Sequence, residues 1–332
     1  MLSSIRPSVG RSVLKFLVGA ASLAATSSAW AAWPEKPITL VVGYAAGGSV
    51  DAVARLVSAP LAERLGQSIV IENVGGAGGS IGATRAAQSA PDGYTFMIGS
   101  GSEVAIAWAV NPALKYNGLV DLAPVGLIST SPMVLVGNSK LSVNDLNGLL
   151  ALAGTKAGGL SLATSGVGTP QHLLLEYVNK KTGANILHVP YRSASSILQD
   201  VIGGRVDMSI LTLSTALPYI SSGQLKAFAV TGREPADALP GVAPLTQNAK
   251  LKDDAFDLWF GMLAPKGMDE SIIKKMNQEL NAVLQDPKVI GDLKKQGMAV
   301  APDTPAEFGA YIKADSAKYQ NIIKDAGITV SQ

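Results

Sequence analysis

Two small-residue loops hold the groups in this sequence best suited to chemistry. The first is Gly43-Tyr44-Ala45-Ala46-Gly47-Gly48-Ser49-Val50-Asp51, which follows the apolar, β-branched run Ile38-Thr39-Leu40-Val41-Val42 and precedes apolar residues at helical spacing, Val50, Val53, Ala54 and Val57. A strand, a glycine-containing loop and a helix in that order point backbone N–H groups and the positive end of a helix at one spot, a ready site for a carboxylate or phosphate. Ser165-Gly166-Val167-Gly168-Thr169-Pro170 repeats the arrangement about 120 residues later, after the strand-like Leu160-Ser161-Leu162-Ala163-Thr164. Ser100-Gly101-Ser102 follows a third strand and adds hydroxyl donors. Tyr191-Arg192-Ser193 follows a fourth, and Arg192 either pairs with a ligand carboxylate or faces solvent. Asp51 lies just inside its helix, where its charge suits the dipole; capping, packing and ligand contact are all open to it.

Other chemistries find less support. The chain contains no cysteine, which removes disulfides, thiolate nucleophiles and cysteine metal sites together. Its histidines are His172, in the first turn of the second loop's helix and placed to support that loop, and His188, inside an apolar strand and expected to be packed and hydrogen-bonded. Neither stands in an H-x-x-x-H or H-E-x-x-H spacing, so no zinc site is expected. Ser165 is not in a G-x-S-x-G setting, which argues against a hydrolase elbow. Gly43-x-x-x-Gly47-Gly48 with Glu72 at the end of the next strand imitates a dinucleotide site and suggests a nucleotide-dependent oxidoreductase as the alternative, but the glycine spacing does not fit G-x-G-x-x-G. No cofactor is expected. Trp108 and Trp259 read as packing residues.

The elements that must position these loops alternate regularly. Strands are expected at 38–42, 68–73 and 94–99, with helices from about 50 to 66 and from Ile81 to Ala90 between them; this order predicts a parallel sheet of right-handed crossovers with ligands at the carboxyl ends of its strands. The alternation continues with strands at 124–128 and 133–136, a helix from Val143 to Ala153 capped by Ser142, strand 160–164, and a helix from Gln171 to Lys181 capped by Thr169 with Pro170 in its first turn. Strand 186–191, helix 195–203 and strands 206–210 and 225–230 complete a second apparent sheet. Pro235 to Asp254 reads as a surface connection, and 258–265 as a strand returning to the first domain. Three helices, Glu270 to Gln285, Lys288 to Gln296 and Pro305 to Ala326, end the chain, the last with a Thr304–Glu307 capping box.

The N-terminus carries Arg6, Arg11 and Lys15, an apolar run from Phe16 to Ala25 and the small-residue end Ala29-Trp30-Ala31, the pattern of a secretory signal peptide cut after Ala31. The run is shorter than the roughly 20 residues that span a bilayer. Removing these three cations changes the formal charge from +2 to −1 (+2 − 3), and no basic stripe with interleaved aromatics remains, so nucleic-acid binding is not expected.

Taken in order, Trp33-Pro34-x-Lys36-Pro37-Ile38, Gly47-Gly48-x-x-Asp51, Val70-Ile71-Glu72-Asn73, Ala90-Pro91-Asp92-Gly93-Tyr94-Thr95, Ser165-Gly166-x-Gly168, His188-Val189-Pro190-Tyr191-Arg192, Gly204-x-Val206-Asp207, Leu225-Lys226-Ala227-x-Ala229-Val230-Thr231 and Trp259-x-Gly261-x-x-Ala264-Pro265 resemble the Bug-type receptors, the periplasmic substrate-binding proteins of tripartite tricarboxylate transporters. The resemblance covers essentially the whole mature chain. It implies an α/β, two-lobed periplasmic-binding-protein fold of the Venus-flytrap, type II-like kind, each lobe a mainly parallel sheet flanked by helices. The lobes would be 32–130 with 257–332, and 131–256, behind a signal peptide at 1–31. It also implies a non-enzymatic receptor, monomeric and periplasmic, that binds a small di-, tri- or aromatic carboxylate between the lobes and delivers it to integral-membrane transporter subunits. The resemblance implies that the carboxylate is held by two loops, Tyr44 to Ser49 and Ser165 to Thr169. Together with the residues read above, the expected ligand-binding set is Tyr44, Ala45, Ala46, Gly47, Gly48, Ser49 and Asp51; Ser100, Gly101 and Ser102; Ser165, Gly166, Gly168 and Thr169; and Tyr191, Arg192, Ser193 and Asp207. The chain departs from the family pattern at Tyr44-Ala45-Ala46, where Phe-Pro-Pro or Phe-Ala-Ala is common, and at Ser193, where glycine is usual; both bear on which substrate fits.

Overall fold

A computed structural model describes residues 33–191, 194–252 and 255–328. The expected signal peptide, Arg192 and Ser193 lie outside the described residues.

In chain order the elements are β1 (Ile38–Val42), α1 (Ser49–Leu65), β2 (Ile69–Asn73), α2 (Ser80–Ala87), β3 (Thr95–Ser100), a π-helical turn (Ser102–Ile106) running into α3 (Ala107–Val110), α4 (Gly118–Asp121), β4 (Leu122–Ser131) and β5 (Met133–Asn138). There follow α5 (Leu146–Thr155), β6 (Leu160–Thr164), α6 (Pro170–Thr182), β7 (Ile186–Pro190), α7 (Ala194–Ile202), β8 (Met208–Thr212), α8 (Leu213–Ser221) and β9 (Leu225–Val230). The chain closes with β10 (Leu258–Pro265), α9 (Glu270–Val283), α10 (Pro287–Lys295), β11 (Ala299–Val300) and α11 (Pro305–Ala326).

The strands form two open sheets. One has the order β11-β4-β10-β3-β1-β2 and the other β7-β6-β8-β5-β9. β1 runs parallel to β2 and β3, and β6 parallel to β7 and β8, as expected for strands joined by helical crossovers. β10 is antiparallel to both β3 and β4, and β5 to both β8 and β9, because each is the first strand after the chain passes from one sheet to the other. The passages are Pro132, between β4 and β5, and the segment between β9 and β10. The carboxyl ends of β1, β3 and β4 therefore share one edge of the first sheet, and those of β6, β7 and β8 one edge of the second.

Burial explains the near-continuous apolar strands. Leu40, Val41 and Val42 of β1, Phe96, Met97 and Ile98 of β3, and Met262, Leu263 and Ala264 of β10 are fully inaccessible, covered on both faces by helices. α11 starts as its sequence requires: Thr304 accepts from the N–H of Glu307, whose side chain accepts in return from the N–H of Thr304. It packs against α6 as well as β4, so the last helix joins elements of both sheets.

The sequence misplaces some boundaries. α5 begins at Leu146 because Asp145, not Ser142, caps it by accepting from the Gly148 N–H. β8 begins at Met208 rather than 206, since the Val206 N–H is turned back onto the carbonyl of Asp200. α8 and the π-helical turn have no counterpart in the sequence expectation. The connection read as surface also buries Leu239, Leu245 and Leu251.

Candidate carboxylate-binding loops

The first loop is held from beneath. Asp51 is 1% exposed; one carboxylate oxygen accepts from the Gly47 N–H at 2.8 Å and from Arg55 Nε at 2.8 Å, the other from Asn73 Nδ2 at 2.9 Å. Asn73 also donates to the Tyr44 carbonyl at 3.0 Å, so β2 and α1 grip both ends of the loop. The Arg55 hydrogen bond, followed by those from Gly47 and Asn73, outweighs burial and holds the Asp51 carboxyl down to about 2. Asp51 is a positioning residue, and it also takes the Gly47 N–H out of reach of a ligand. Gly48 stands at the N-cap of α1 with no side-chain cap, which leaves the first-turn N–H groups of the helix to be satisfied from outside. Ala45 to Ser49 are exposed. Gly47 adopts φ +89°, a region that suits glycine. Gly43 supplies close approach: a Cβ there would lie 2.7 Å from the Gly79 carbonyl oxygen, so the loop after β2 seats directly on the loop after β1.

Behind this loop sits a group that the sequence reading did not single out. Glu103, in the π-helical turn, is fully buried and receives the Ser100 N–H at 2.6 Å, the Ser100 hydroxyl at 2.6 Å and the Tyr44 hydroxyl at 2.7 Å. The Tyr44 oxygen also lies 3.0 Å from the Gly78 carbonyl, tying the loops after β1, β2 and β3 together. Tyr116 donates to the Glu103 carbonyl at 2.6 Å. Burial pushes the Glu103 carboxyl up, and burial followed by the Glu103 charge pushes the Tyr44 hydroxyl up. Both protonation states of Glu103 are accommodated. As carboxylate it accepts all three donors; as acid it donates to Tyr44, which then donates to Gly78. The only sequence signal was an acid directly before the apolar stretch Val104-Ala105-Ile106.

The second loop has different support. Gly166 and Gly168 take φ +127° and +77°, Thr169 caps α6, and its hydroxyl donates to the Gly166 carbonyl at 2.8 Å. The Gly168 N–H donates to His172 Nδ1 at 3.1 Å, which fixes that nitrogen as the unprotonated acceptor. His188 stacks on His172 with ring centroids 4.0 Å apart, and its Nε2 lies 2.6 Å from the Thr164 hydroxyl. Burial, then the neighbouring His188, hold the His172 pKa down to about 4, and burial lowers that of His188.

A histidine whose folded pKa lies below its unfolded value of about 6.5 contributes stability that is complete above 6.5 and is lost as pH falls from there toward 4, a total of roughly 3 kcal/mol for His172. His172→Gln keeps an acceptor for Gly168 but does not titrate. Urea unfolding of both proteins at pH 7.5 and pH 5 should show the stability of the parent falling relative to the variant by about 2 kcal/mol. An unchanged difference would mean that His172 titrates alike in the folded and unfolded chains and is not held neutral beneath the loop.

The remaining sequence-assigned residues separate. Ser100 points inward to Glu103 rather than to the cleft edge, so its hydroxyl is a structural donor. Gly101 is buried beside Trp259, whose indole N–H donates to Asp315 at 2.8 Å. Ser102 is half-buried, and Ser165 is exposed with its hydroxyl 3.4 Å from Gln171. Tyr191 donates to Asp200 at 2.7 Å, and Asp200 pairs with Arg205, so this hydroxyl braces α7. Asp207 is a correction. It precedes β8, at the edge of the sheet opposite the loops, roughly 15 Å along the strand from the end where Ser165 lies. There it accepts from the Ser161 N–H and hydroxyl, both at 2.8 Å, and pairs with Lys156 at 2.9 Å.

Chemically, the two loops can hold an anion and do little else. Each histidine is committed to a loop contact rather than to a serine, and no group of acidic or histidine residues suited to a metal occurs among the described residues. Glu72, the acid of the imitation dinucleotide site, lies 3.6 Å from Arg85.

The tripartite tricarboxylate transporter family receptor profile matches residues 53–328. The chain belongs to that family. The receptor is 33% identical to protein BugT of Bordetella pertussis over 316 residues, covering 95% of this chain and 96% of that protein. Among solved structures, an R. palustris protein with adipate superposes with a TM-score of 0.78 at 30% identity, covering 90% of the receptor and 99% of that chain. MatC from Rhodopseudomonas palustris with bound malate gives 0.75 at 29% identity, covering 88% and 100%. The receptor is therefore a solute-binding protein of the periplasmic class and not an enzyme, and the oxidoreductase alternative is set aside. Among its described residues no helix is long and apolar enough to cross a membrane.

Proposed function

We propose that this receptor captures a small dicarboxylate, tricarboxylate or aromatic carboxylate between two lobes, 32–130 with 257–332 and 131–256, and hands it to the membrane subunits of a tripartite transporter. One observation carries the reading: each sheet presents a strand-glycine-helix loop at its carboxyl edge, shaped from behind by a buried group, Asp51 in one and His172 in the other. The N-terminal turns of α1 and α6 then meet the anion from two sides, and binding favours the closed form by its higher affinity there. Contacts are assigned to Tyr44, Ala45, Ala46, Gly48 and Ser49, to Ser102, and to Ser165, Gly166 and Thr169, with Arg192 as a charged partner. Adipate and malate, the ligands of the two neighbours above, are the natural first probes. A thermal-shift screen of mono-, di- and tricarboxylates should give at least one saturable stabilisation, which Ser49→Trp, at the exposed first position of α1, should abolish without unfolding the protein. Stabilisation by unrelated solutes but by no carboxylate would refute the reading.

The receptor is further assigned to the periplasm as a monomer released by cleavage after Ala31. Mass spectrometry of the exported protein should find Ala32 at its N-terminus, and sedimentation should give one chain per particle.

A further inference from the structure

A cavity of about 1020 Å³ lies away from the two loops, and none of Tyr44–Ser49, Ser100–Ser102 or Ser165–Thr169 lines it. Its walls come from both sides of the passages between the sheets. The segment after β9, Gly232 to Ala238, forms one wall; α10, β11 and α11 form the other, and Pro132 of the first passage reaches it as well. β11 stands four strands from β1 in its sheet, about 19 Å at the usual strand spacing, so the cavity occupies the opposite side of the passages from the first loop.

Most of the lining is apolar, including Leu213, Pro235, Ile290, Met298 and the ring of Tyr311. Its charged groups are largely paired: Lys294 with Asp237 at 3.1 Å, and Lys318 with Asp315 at 2.8 Å while it also donates to the Ala255 carbonyl. Asp257 is different. It lines the cavity just before β10, and its Oδ1 is buried with no hydrogen-bond partner. That oxygen lies beneath the cavity surface, so the charge of this carboxylate is compensated only in part by its protein neighbours, and a ligand would meet the rest of the group. Burial pushes this carboxyl up, and the Asp315 charge adds to that against Lys318 and Arg233, which pull it down. An apolar chamber with an under-compensated carboxylate in its wall and an aromatic ring beside it recognises a cation on an apolar body.

We propose that this cavity is a second ligand site, distinct from the carboxylate-binding loops, for an amphipathic amine whose ammonium group meets Asp257 and whose hydrocarbon lies against the apolar wall. Recognition of this kind is reversible and involves no covalent step. The site borders both passages between the sheets, and its Asp315 holds the indole of Trp259, against which Gly101 packs.

The test is calorimetric titration of the full-length mature receptor with n-hexylamine at pH 7.5, with n-hexanol as the neutral control. Hexylamine should bind once per chain and at least tenfold more tightly than hexanol. Asp257→Asn should weaken hexylamine at least tenfold and leave hexanol unchanged. Ala314→Trp, at an exposed cavity-lining position of α11, should weaken both by filling the chamber, and it tests the location even if the Asp257 variant fails to fold. Absence of saturable hexylamine binding, equal affinity for hexanol, or full affinity in Ala314→Trp would each overturn the proposal. None of these outcomes bears on carboxylate capture by the loops.

Discussion

Replacing Glu103 with alanine is expected to destabilise the receptor by about 3–5 kcal/mol, the range for removing a fully buried, multiply bonded group, and to weaken carboxylate binding at least tenfold. The stability loss has two sources. The Ser100 N–H, the Ser100 hydroxyl and the Tyr44 hydroxyl lose their common acceptor; Tyr44 can still turn to the Gly78 carbonyl and the Ser100 hydroxyl to Tyr44, but the buried Ser100 N–H is left without its partner. The space vacated beside Val104, Ala105 and Ile106 is then a cavity in fully buried surroundings. The binding loss follows from geometry. Tyr44 connects the loop after β1 to the loop after β3 through this carboxyl and to the loop after β2 through the Gly78 carbonyl, and a loose Tyr44 leaves the exposed donors of 45–49 less ordered before the ligand arrives. Glu103→Gln separates the two effects. Its amide keeps the shape but sets an N–H₂ group against donors, so it should cost less in stability while still reducing affinity. Urea denaturation and titration with whichever carboxylate the screen identifies provide the readouts; a Glu103→Ala loss below about 1 kcal/mol would show that the network contributes no more than a single ordinary hydrogen bond.

The second large effect is expected at Asp51. Asp51→Ala should cost about 2–4 kcal/mol, since it removes at once the common acceptor of Gly47, Asn73 and Arg55, one of these bonds being charge-assisted, and empties a buried position beneath the loop. Binding should fall more than stability suggests, because the bond from the Gly47 N–H to Asp51 holds the turn at φ +89° in the exposed part of the loop. The sign of the accompanying pH effect is fixed by the depressed carboxyl. An aspartate at about 2 in the folded chain and about 3.9 in the unfolded chain contributes stability that is fully present above pH 5 and is lost as pH falls toward 2. The difference in unfolding free energy between parent and Asp51→Asn should therefore shrink over that interval. A difference constant from pH 6 to pH 2.5 would place the Asp51 carboxyl at its ordinary value and remove it as the anchor of the loop. This acid window lies below most of the His172 window, so the two contributions are separable in one pH series.

Several of these features are legible in the residues themselves. β9 and β10 fall where the sequence puts them, as does α11 with its Thr304–Glu307 capping box, because each is specified by neighbouring residues: apolar runs bounded by turn formers, or a cap three residues from its acid. His172 also takes the supporting place its position suggests, since a residue in the first turn of a helix is bound to lie under the loop that leads into it, and His188 is packed and hydrogen-bonded as expected, although half-buried rather than in the core. Ser100 and Asp207 went the other way. A serine at a strand end and an aspartate beside a strand look alike in sequence whether they face a cleft or the interior. Ser100 turns inward because Glu103, three residues on, waits there as its acceptor. Asp207 precedes its strand, and in a parallel arrangement the start of a strand lies at the far edge from the loops that follow β6 and β7. Glu103 itself gave no short-range signal, because a single acid before an apolar stretch has no periodicity to announce its partners.

The sequence by itself determined the α/β alternation, the pair of strand-glycine-helix loops and the family to which the chain belongs, all of which rest on residues close together or in a fixed order. Tertiary structure alone decided which polar groups are spent inside and which remain for a ligand. Asp51 consumes the Gly47 N–H, Glu103 consumes Ser100 and Tyr44, and His172 consumes Gly168, while the first-turn groups of α1 stay open. The physical reason is that a buried donor or acceptor must be paired, and the identity of its partner depends on which distant strand ends are brought to the same edge.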